Sequence, residues 1–127
     1  MPKFKTGKPD LPKTIVCDID GTILHHLGKM SDIAFRKPKI LKGVLDKFNR
    51  WSSRGFVIVL FTGRPESMRQ LTQDQLAKFG IPYNQLIMGI GIGARILIND
   101  LKPEDPYPTA LAINVVRNAG IADIEIL

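Results

Sequence analysis

The sequence predicts an α/β fold in which helices cover both faces of a mainly parallel sheet, so that the domain has three layers. Short apolar runs rich in β-branched residues alternate with longer amphipathic stretches, and this alternation is typical of strand–helix–strand units. Three of the apolar runs also end in polar residues, and parallel α/β sheets place their ligand sites beyond the carboxyl ends of the strands. A length of 127 residues suits one such domain.

Composition narrows the class of protein further. The chain is 44% hydrophobic and 24% charged, which is typical of a globular domain. No apolar run approaches the ~20 residues that a membrane span needs, and the N-terminal segment lacks the apolar stretch of a secretory signal. A single cysteine excludes an internal disulfide and a multi-cysteine zinc site. These features predict a cytoplasmic protein without a membrane partner.

The charge is unevenly spread. The formal net charge is +6, which favours anionic partners such as phosphates, nucleic acid or acidic lipid. Residues 1–13 carry three prolines and four lysines, and they account for much of the excess. We expect residues 1–13 to form a basic extended tail and residues 14–127 to form the single domain.

The first elements follow from local patterns. Residues 15–18 predict a buried strand, because the run is apolar, β-branched and too short for a helix. Residues 21–37 have no clean period, and we expect a loop or flap there. Pro38 starts a helix, since proline suits the first helical turn, and Gly55 ends it. The apolar stripe of this helix consists of Ile40, Leu41, Val44, Leu45, Phe48 and Trp51.

The remaining elements continue the alternation. Residues 56–62, "FVIVLFT", form the strongest predicted strand. Glycine and proline mark the boundaries of the elements that follow. In chain order these are a helix opened by Pro65 and closed by Gly80, a weak strand at 85–88, a fourth strand at 95–100, a helix that Pro106 and Pro108 lead into and that ends near Gly120, and an edge strand at 124–127. The segment "NVVRNAG" is interpreted as the end of the last helix and not as part of a site.

Polar side chains follow three of the predicted strands. Because the carboxyl ends of parallel strands meet at one edge of the sheet, we expect these side chains to form one site. They are Asp18 and Asp20 after strand one, Thr62, Gly63 and Arg64 after strand two, and Asn99 and Asp100 after strand four.

The two neighbouring aspartates suggest the chemistry. Carboxylates this close repel each other, and a bound hard cation is the usual remedy. The Asp18 carboxylate, the Asp20 carbonyl and Asp100 would offer the oxygen ligands that Mg²⁺ prefers. The alternating spacing leaves the Asp20 side chain free for proton transfer, and Thr62 offers a hydroxyl to a phosphate oxygen. This set suits phosphoryl transfer with a carboxylate nucleophile.

The same motifs resemble those of the haloacid dehalogenase (HAD) superfamily. "DIDGTI" resembles its first motif, D-x-D-G-T, "VLFTGR" its second and "ILIND" its fourth, in matching order across roughly residues 14–120. The resemblance implies a Rossmann-like fold with sheet order 5-4-1-2-3 and an aspartyl-phosphate at Asp18. It implies that Asp20 protonates the leaving oxygen and later activates water. It also implies that Thr62 holds the phosphoryl group and that Asp100 helps to bind Mg²⁺.

Two features depart from that family pattern. The acidic pair reads Asn99-Asp100, so that one carboxylate is an amide and either residue could be the metal ligand. The lysine of the third motif has no clear counterpart. Basic residues that could take its role are Arg64, Lys78, Arg95 and Lys102, of which Arg95 and Lys102 are preferred because they flank the fourth strand.

The substrate is less well defined. Only 41 residues separate Asp20 from Thr62, so no cap domain fits, and an open site suits a polymer end or a small molecule enclosed by a homo-oligomer. Residues 62–89 are similar to the phosphatase domain of polynucleotide kinase–phosphatases, and residues 97–121 to small proteins of capsule or lipopolysaccharide synthesis. We therefore expect a magnesium-dependent phosphatase acting on a sugar phosphate or another phosphomonoester. The alternatives are a phosphate-binding or interaction domain without catalysis and a nucleic-acid 3′-phosphatase.

Overall fold

A computed structural model describes residues 3–8 and 11–127 of the chain. The described part has five strands, two α-helices and two 3-10 helices. The strands are β1 (Lys3–Phe4), β2 (Thr14–Asp18), β3 (Val57–Phe61), β4 (Gln85–Ile87) and β5 (Glu125–Ile126). The helices are α1 (Val44–Ser53) and α2 (Arg69–Lys78), and the 3-10 helices are Met30–Phe35 and Glu66–Met68.

The central sheet has three parallel strands in the order β2–β3–β4. The register pairs Thr14 with Val57 at one end and Asp18 with Phe61 at the other, and β4 joins β3 on its far side. Helix α1 connects β2 to β3, and α2 connects β3 to β4, so each pair forms a strand–helix–strand unit. The predicted α/β class with a parallel sheet is confirmed, and so is the predicted order of its first three strands.

The core lies between this sheet and the helices. Strand β3 alternates along its length, and its residues Ile58 and Leu60 are buried. Helix α1 presents Phe48 and Trp51 to the core, with ring centroids 5.5 Å apart, and α2 contributes Leu76. These residues belong to one buried core cluster that joins the sheet to the helices.

Helix α1 is shorter than predicted. It begins at Val44 and not at Pro38, because Gly43 has a left-handed backbone (φ 81°) that cannot continue a helix. Upstream, Ile40 forms an antiparallel bridge with Leu24, which closes the base of the flap. The predicted end is confirmed, since Gly55 (φ 77°) follows the helix and its N–H bonds to the Ser52 carbonyl.

The largest departures from prediction come after β4. Residues 95–100 form no strand and residues 106–120 form no helix in the structure. A strand needs a hydrogen-bonded neighbour, and residues 89–95 span at most ~23 Å when extended, which is short for a crossover past β3 and β2. The predicted helix, which Pro106 and Pro108 lead into, reaches Asn118, whose positive φ of 65° is incompatible with a right-handed helix. The 5-4 part of the predicted sheet order is therefore absent from the described chain.

The two ends of the chain meet. Strand β1 pairs in parallel with β5, with Lys3 opposite Glu125. The predicted C-terminal edge strand is thus present, but its partner is the N-terminal segment that was predicted to be an extended tail. Residues 1–2 and 9–10 of that predicted tail lie outside the described residues.

The chain between β2 and β3 has no cap domain in the described residues, as predicted. Residues 19–43 form a flap with one 3-10 helix, Met30–Phe35. In the same described part of the chain, no helix combines the length and the apolar character that crossing a membrane requires.

Candidate functional site

A cavity of about 210 Å³ opens at the carboxyl ends of β2 and β3. Four of the predicted site residues line it from the strand ends. They are Asp18, Asp20, Thr62 and Gly63. Two arginines, Arg95 and Arg117, line it from the chain after β4, and the flap covers another side with His26, Met30 and Ile33.

Asp18 has a partly buried carboxylate at the tip of β2. Its Oδ2 accepts a hydrogen bond of 3.1 Å from the Thr22 hydroxyl, so the first and last residues of the "DIDGT" segment contact each other. Burial raises the pKa of the Asp18 carboxyl above its ordinary value, and the nearby Asp20 charge adds to the rise. The Thr22 hydrogen bond and the charge of Arg95 act in the opposite direction on this pKa.

Asp20 makes a bidentate ion pair with Arg64. The Arg64 Nε lies 2.9 Å from Oδ2 and its Nη2 lies 2.7 Å from Oδ1, the geometry of the strongest carboxylate–guanidinium pairs. The Arg64 side chain is 0% exposed. Its Nη1 donates to the Thr72 hydroxyl at 3.1 Å and to the Gln75 Oε1 at 2.7 Å.

This pair changes the interpretation of the aspartates. The Arg64 guanidinium stands beside Asp20 and offsets part of the repulsion between the two carboxylates. Arg64 lies behind Asp20 and is not among the residues that line the cavity. Thr72 and Gln75 lie three residues apart on the inner face of α2, which explains why polar residues occupy buried positions of that helix.

Thr62 and Gly63 have separate tasks. The Thr62 hydroxyl accepts a 3.1 Å hydrogen bond from the Arg64 backbone N–H, and its own proton remains available to a ligand in the cavity. A Cβ on Gly63 would lie 2.7 Å from the Gly91 carbonyl oxygen. Glycine is therefore required at position 63 because the chain after β4 crosses directly over it.

Arg95 lies over the end of β3. Its guanidinium is 5.4 Å from the centroid of the Phe61 ring, and its Nη2 donates to the Gly91 carbonyl at 3.0 Å. Its Nη1 also contacts the Gly93 carbonyl. Arg95 therefore brings a positive charge to the cavity that Asp18 lines.

Three other predicted site residues lie outside this cavity. The Lys102 Nζ is 2.9 Å from Asp100 Oδ2, and this contact lowers the pKa of the exposed Asp100 carboxyl. Asn99 donates its side-chain Nδ2 to the Thr109 hydroxyl at 3.3 Å. These residues are separated from Asp18 because residues 95–100 do not join the sheet.

The magnesium site was predicted from Asp18, Asp20, Asn99 and Asp100, and the structure separates the first two residues, which line the cavity, from the last two, which lie outside it. Both side-chain oxygens of Asp20 accept from Arg64, so the oxygen that Asp20 would offer a metal is its backbone carbonyl, as predicted from the sequence, and Asp100 is paired with Lys102. Within residues 3–8 and 11–127, no group of three or more His, Cys, Asp or Glu side chains is arranged to hold a metal ion.

The sequence pattern gives Arg117 no site role. It placed this residue at the end of a helix, whereas the structure brings it to the cavity beside Asp18 and Asp20. The local sequence carries no signal for this position, because contacts with residues near the start of the chain determine it. His26, which the flap holds at the cavity, could be identified from the sequence only as a loop residue near the first motif.

Comparison with known proteins gives relatives that are much longer than this chain. Protein retinal degeneration B of Drosophila melanogaster is 26% identical over 116 residues, covering 90% of this chain and 8% of the relative. Membrane-associated phosphatidylinositol transfer protein 3 of Homo sapiens is 25% identical over 89 residues, covering 70% of this chain and 9% of the relative. The chain thus spans less than a tenth of the length of these relatives.

Solved structures share the fold. A chain in the structure of the Pnkp1/Rnl/Hen1 complex superposes with a TM-score of 0.56 at 26% identity, covering 70% of this chain and 32% of that one. The family model described as PITM 1-3, LNS2 domain, matches residues 15–119. This match spans most of the chain, and the chain therefore belongs to the LNS2 domain family, which is part of the haloacid dehalogenase superfamily.

Proposed function

We propose that this chain hydrolyses a phosphomonoester through attack of the Asp18 carboxylate on phosphorus. The observation that carries the proposal is that Asp18 lines the same cavity as two arginines, Arg95 and Arg117. A carboxylate supplies a nucleophile, and guanidinium groups bind the phosphate oxygens and the charge that develops on them. Membership of the superfamily supports the same chemistry.

The reaction has two steps. In the first, an Asp18 oxygen bonds to phosphorus, the bond to the ester oxygen breaks, and the ester oxygen leaves with the electron pair and takes up a proton. In the second, water attacks the phosphorus of the aspartyl-phosphate, so that inorganic phosphate leaves and the Asp18 carboxylate is restored. Burial raises the pKa of Asp18, which makes its carboxylate a stronger base than an exposed one.

We assign the proton transfers to Asp20, which lines the same cavity. Both of its oxygens accept hydrogen bonds from Arg64. An oxygen that carries the proton must release one of these two bonds, so Arg64 controls the position of Asp20 during the reaction. Arg64 is therefore proposed as a positioning residue and not as a phosphate ligand.

Thr62 and Arg95 are proposed to hold the transferring phosphoryl group. The Thr62 hydroxyl already accepts from the Arg64 N–H, and so it is oriented to donate to a phosphate oxygen. Arg95 is fixed by its contact with the Phe61 ring and the Gly91 carbonyl. A preorganised cation of this kind stabilises negative charge without reorganising during the reaction.

Magnesium dependence stays a prediction with a specific structural requirement. Asp100 would have to reach Asp18, which requires residues 95–100 to add to the open edge of β2. Strand β2 is an edge strand of the described three-stranded sheet, so its outer edge is where another strand would add. Phosphate release measured with magnesium and with a chelator, for the wild type and Asp100→Asn, tests this requirement.

The substrate is proposed to be a sugar phosphate or another small phosphomonoester. An oligonucleotide 3′-phosphate is a second possibility, favoured by the structural similarity to a chain of the Pnkp1/Rnl/Hen1 complex. The decisive assay compares phosphate release from sugar phosphates and from a 3′-phosphorylated oligonucleotide over a range of salt. Binding that weakens steeply with salt would favour the oligonucleotide.

A second candidate function is recognition of a phosphate-bearing lipid without turnover. The relatives include membrane-associated phosphatidylinositol transfer proteins, and apolar side chains are exposed beside the cavity. Ile92 lines the cavity and is 90% exposed. Co-sedimentation with phosphatidylcholine vesicles, with and without phosphatidic acid, measures this function directly.

The experiment that tests the main proposal is phosphate release by the wild type, Asp18→Asn and Asp46→Asn. Asp46 is an exposed residue of α1 that pairs with Arg50 away from the cavity, so it controls for the loss of one carboxylate. We expect release by the wild type and by Asp46→Asn only. Release that persists in Asp18→Asn would refute the assigned nucleophile, and no release from any substrate in the panel would refute the hydrolase.

A further inference from the structure

We infer that Arg117 is an anion-binding residue of this cavity and that it binds the phosphate group of the ligand. The inference rests on the proposed function for the class of ligand, a phosphomonoester. It depends on three observations, which are the hydrogen bonds of the nearby arginines, the contacts that hold residues 117–121, and the close approach of Arg117 to Gly21.

The arginines near the cavity differ in how many of their donors are already used. Arg64 gives its side-chain hydrogen bonds to Asp20, Thr72 and Gln75. Arg95 gives two to backbone carbonyls. The Arg117 guanidinium makes no hydrogen bond or ion pair with any residue that the structure describes, although it lines the cavity. Its five N–H groups are thus available to a ligand.

The residue after Arg117 is tied to the first motif and to the flap. The Asn118 N–H donates to the Gly21 carbonyl at 2.8 Å, and its side-chain Oδ1 accepts from the His26 N–H at 2.8 Å. Asn118 has a φ of 65°, a left-handed conformation that asparagine tolerates better than most residues. These contacts set the direction in which the chain presents Arg117.

A second attachment lies three residues further on. The Ile121 N–H donates to the Lys42 carbonyl at 2.9 Å, and a Cβ on Gly120 would lie 2.5 Å from the same oxygen. The segment 118–121 is therefore held at Gly21, where the flap begins, and at Lys42, where it ends. This two-point attachment keeps Arg117 at the cavity mouth.

Gly21 makes room for the Arg117 side chain. A Cβ at position 21 would lie 3.2 Å from the Arg117 Cγ, and Gly21 has a positive φ of 88°. The glycine of the "DIDGT" segment therefore serves two purposes. It turns the chain after Asp20, and it lets the arginine stem lie across that turn.

The charge of the cavity favours a phosphate. Arg64 neutralises Asp20, which leaves Asp18 as one negative charge against the positive charges of Arg95 and Arg117. A guanidinium presents a planar fork that matches two phosphate oxygens at once. The same chemistry suits a small phosphomonoester and a lipid headgroup.

The test measures the binding of inorganic phosphate to the full chain by isothermal titration calorimetry. The variants are Arg117→Gln, Arg117→Lys and the control Arg50→Gln, which removes an arginine on α1 that is exposed and away from this cavity. We expect Arg117→Gln to weaken binding about tenfold or more, since a charge-assisted bidentate contact is lost. Arg117→Lys should be intermediate because it keeps the charge and loses the fork, and Arg50→Gln should match the wild type.

Two results would overturn the inference. One is equal weakening in Arg117→Gln and Arg50→Gln, which would reflect net charge alone. The other is a wild type that binds no phosphate. Circular dichroism and thermal unfolding check that each variant folds. If Arg117→Gln does not fold, the phosphate affinity of Arg117→Lys compared with the wild type is the decisive measurement.

The outcome is independent of turnover. Phosphate binding that requires Arg117 supports the inference even if no substrate is hydrolysed, in which case the proposed hydrolase fails alone. Hydrolysis that is unaffected by Arg117→Gln, together with unchanged phosphate affinity, overturns the inference alone. Competition with glucose 6-phosphate and with vesicles carrying phosphatidic acid then distinguishes a small ligand from a lipid headgroup, and in either case sensitivity to Arg117→Gln supports the inference.

Discussion

Residues 14–88 and residues 89–120 contain similar apolar runs but use them differently. In the first region, Ile58 of β3 is 1% exposed, whereas in the second region Ile98 is 90% exposed. Each strand of the first region has a neighbour delivered by a helix of about ten residues. The second region lacks such a connection and has no strand partner in the described chain. The difference shows that an apolar run becomes a buried strand only when the chain can bring it to a partner.

The largest expected effect tests the polar centre of the first region. Arg64→Met should lower the free energy of unfolding by ~3–5 kcal/mol, because it leaves the Asp20 charge and the buried Thr72 and Gln75 side chains without their partner. Urea unfolding followed by circular dichroism measures it. Arg95→Met is the matched control from the second region, and an equal loss in the control would remove the contrast between the two regions.

The second prediction compares the same substitution in both regions. Ile58→Ala should cost ~2–5 kcal/mol of stability, since it empties a packed position of the core. Ile98→Ala should change stability by less than ~0.5 kcal/mol, as expected of an exposed site. Thermal and urea unfolding of both variants provide the measurement. A large cost at Ile98 would mean that residues 95–100 are packed in solution and that the two regions are alike.

A third prediction concerns the point where the regions meet. Gly63→Ala places a methyl group 2.7 Å from the Gly91 carbonyl oxygen, and the backbone of one region must shift. We expect a loss of ~1–3 kcal/mol, typical of overpacking. Gly28→Ala serves as a control, because no atom lies within 4 Å of its Cβ position, although its positive φ adds some strain. If Gly63→Ala is no worse than Gly28→Ala, the second region does not cross over Gly63.

The smallest effect is a dependence of stability on pH. Burial raises the pKa of Asp18 in the folded state, so the folded chain binds its proton more tightly than the unfolded chain does. The stability contributed by protonated Asp18 is present below the unfolded pKa and is lost as pH rises through the folded pKa.

Asp18→Asn provides the comparison for this effect. It should be more stable than the wild type at neutral pH, and the gap in the free energy of unfolding should narrow as the pH falls through the raised folded-state pKa towards the ordinary pKa of an aspartate, below which the gap stays constant. Unfolding curves over this pH range measure the difference in the free energy of unfolding between the two proteins. A difference that widens in acid would contradict the raised pKa of Asp18.

The sequence predicted the first region well for a physical reason. Apolar alternation and the boundary residues Gly55 and Gly80 are local signals, and they located β3 and the ends of both α-helices. The positions of these elements also fixed where the strands end. Asp18 and Thr62 lie at two of those ends, and both line one cavity. The same local signals gave a wrong prediction in the second region. The run at residues 95–100 has the composition of a strand, but the connection that precedes it is short for reaching a strand partner.

The sequence by itself determined the α/β class, the parallel order of the first three strands and the polar residues at their tips. These depend on patterns within a few residues of one another. Only the tertiary structure decided that Arg64 faces Asp20, 44 residues away, and that Asn118 bonds to His26 across 92 residues and so presents Arg117 at the cavity. Partners that far apart in the chain are selected by packing, and no local pattern encodes them.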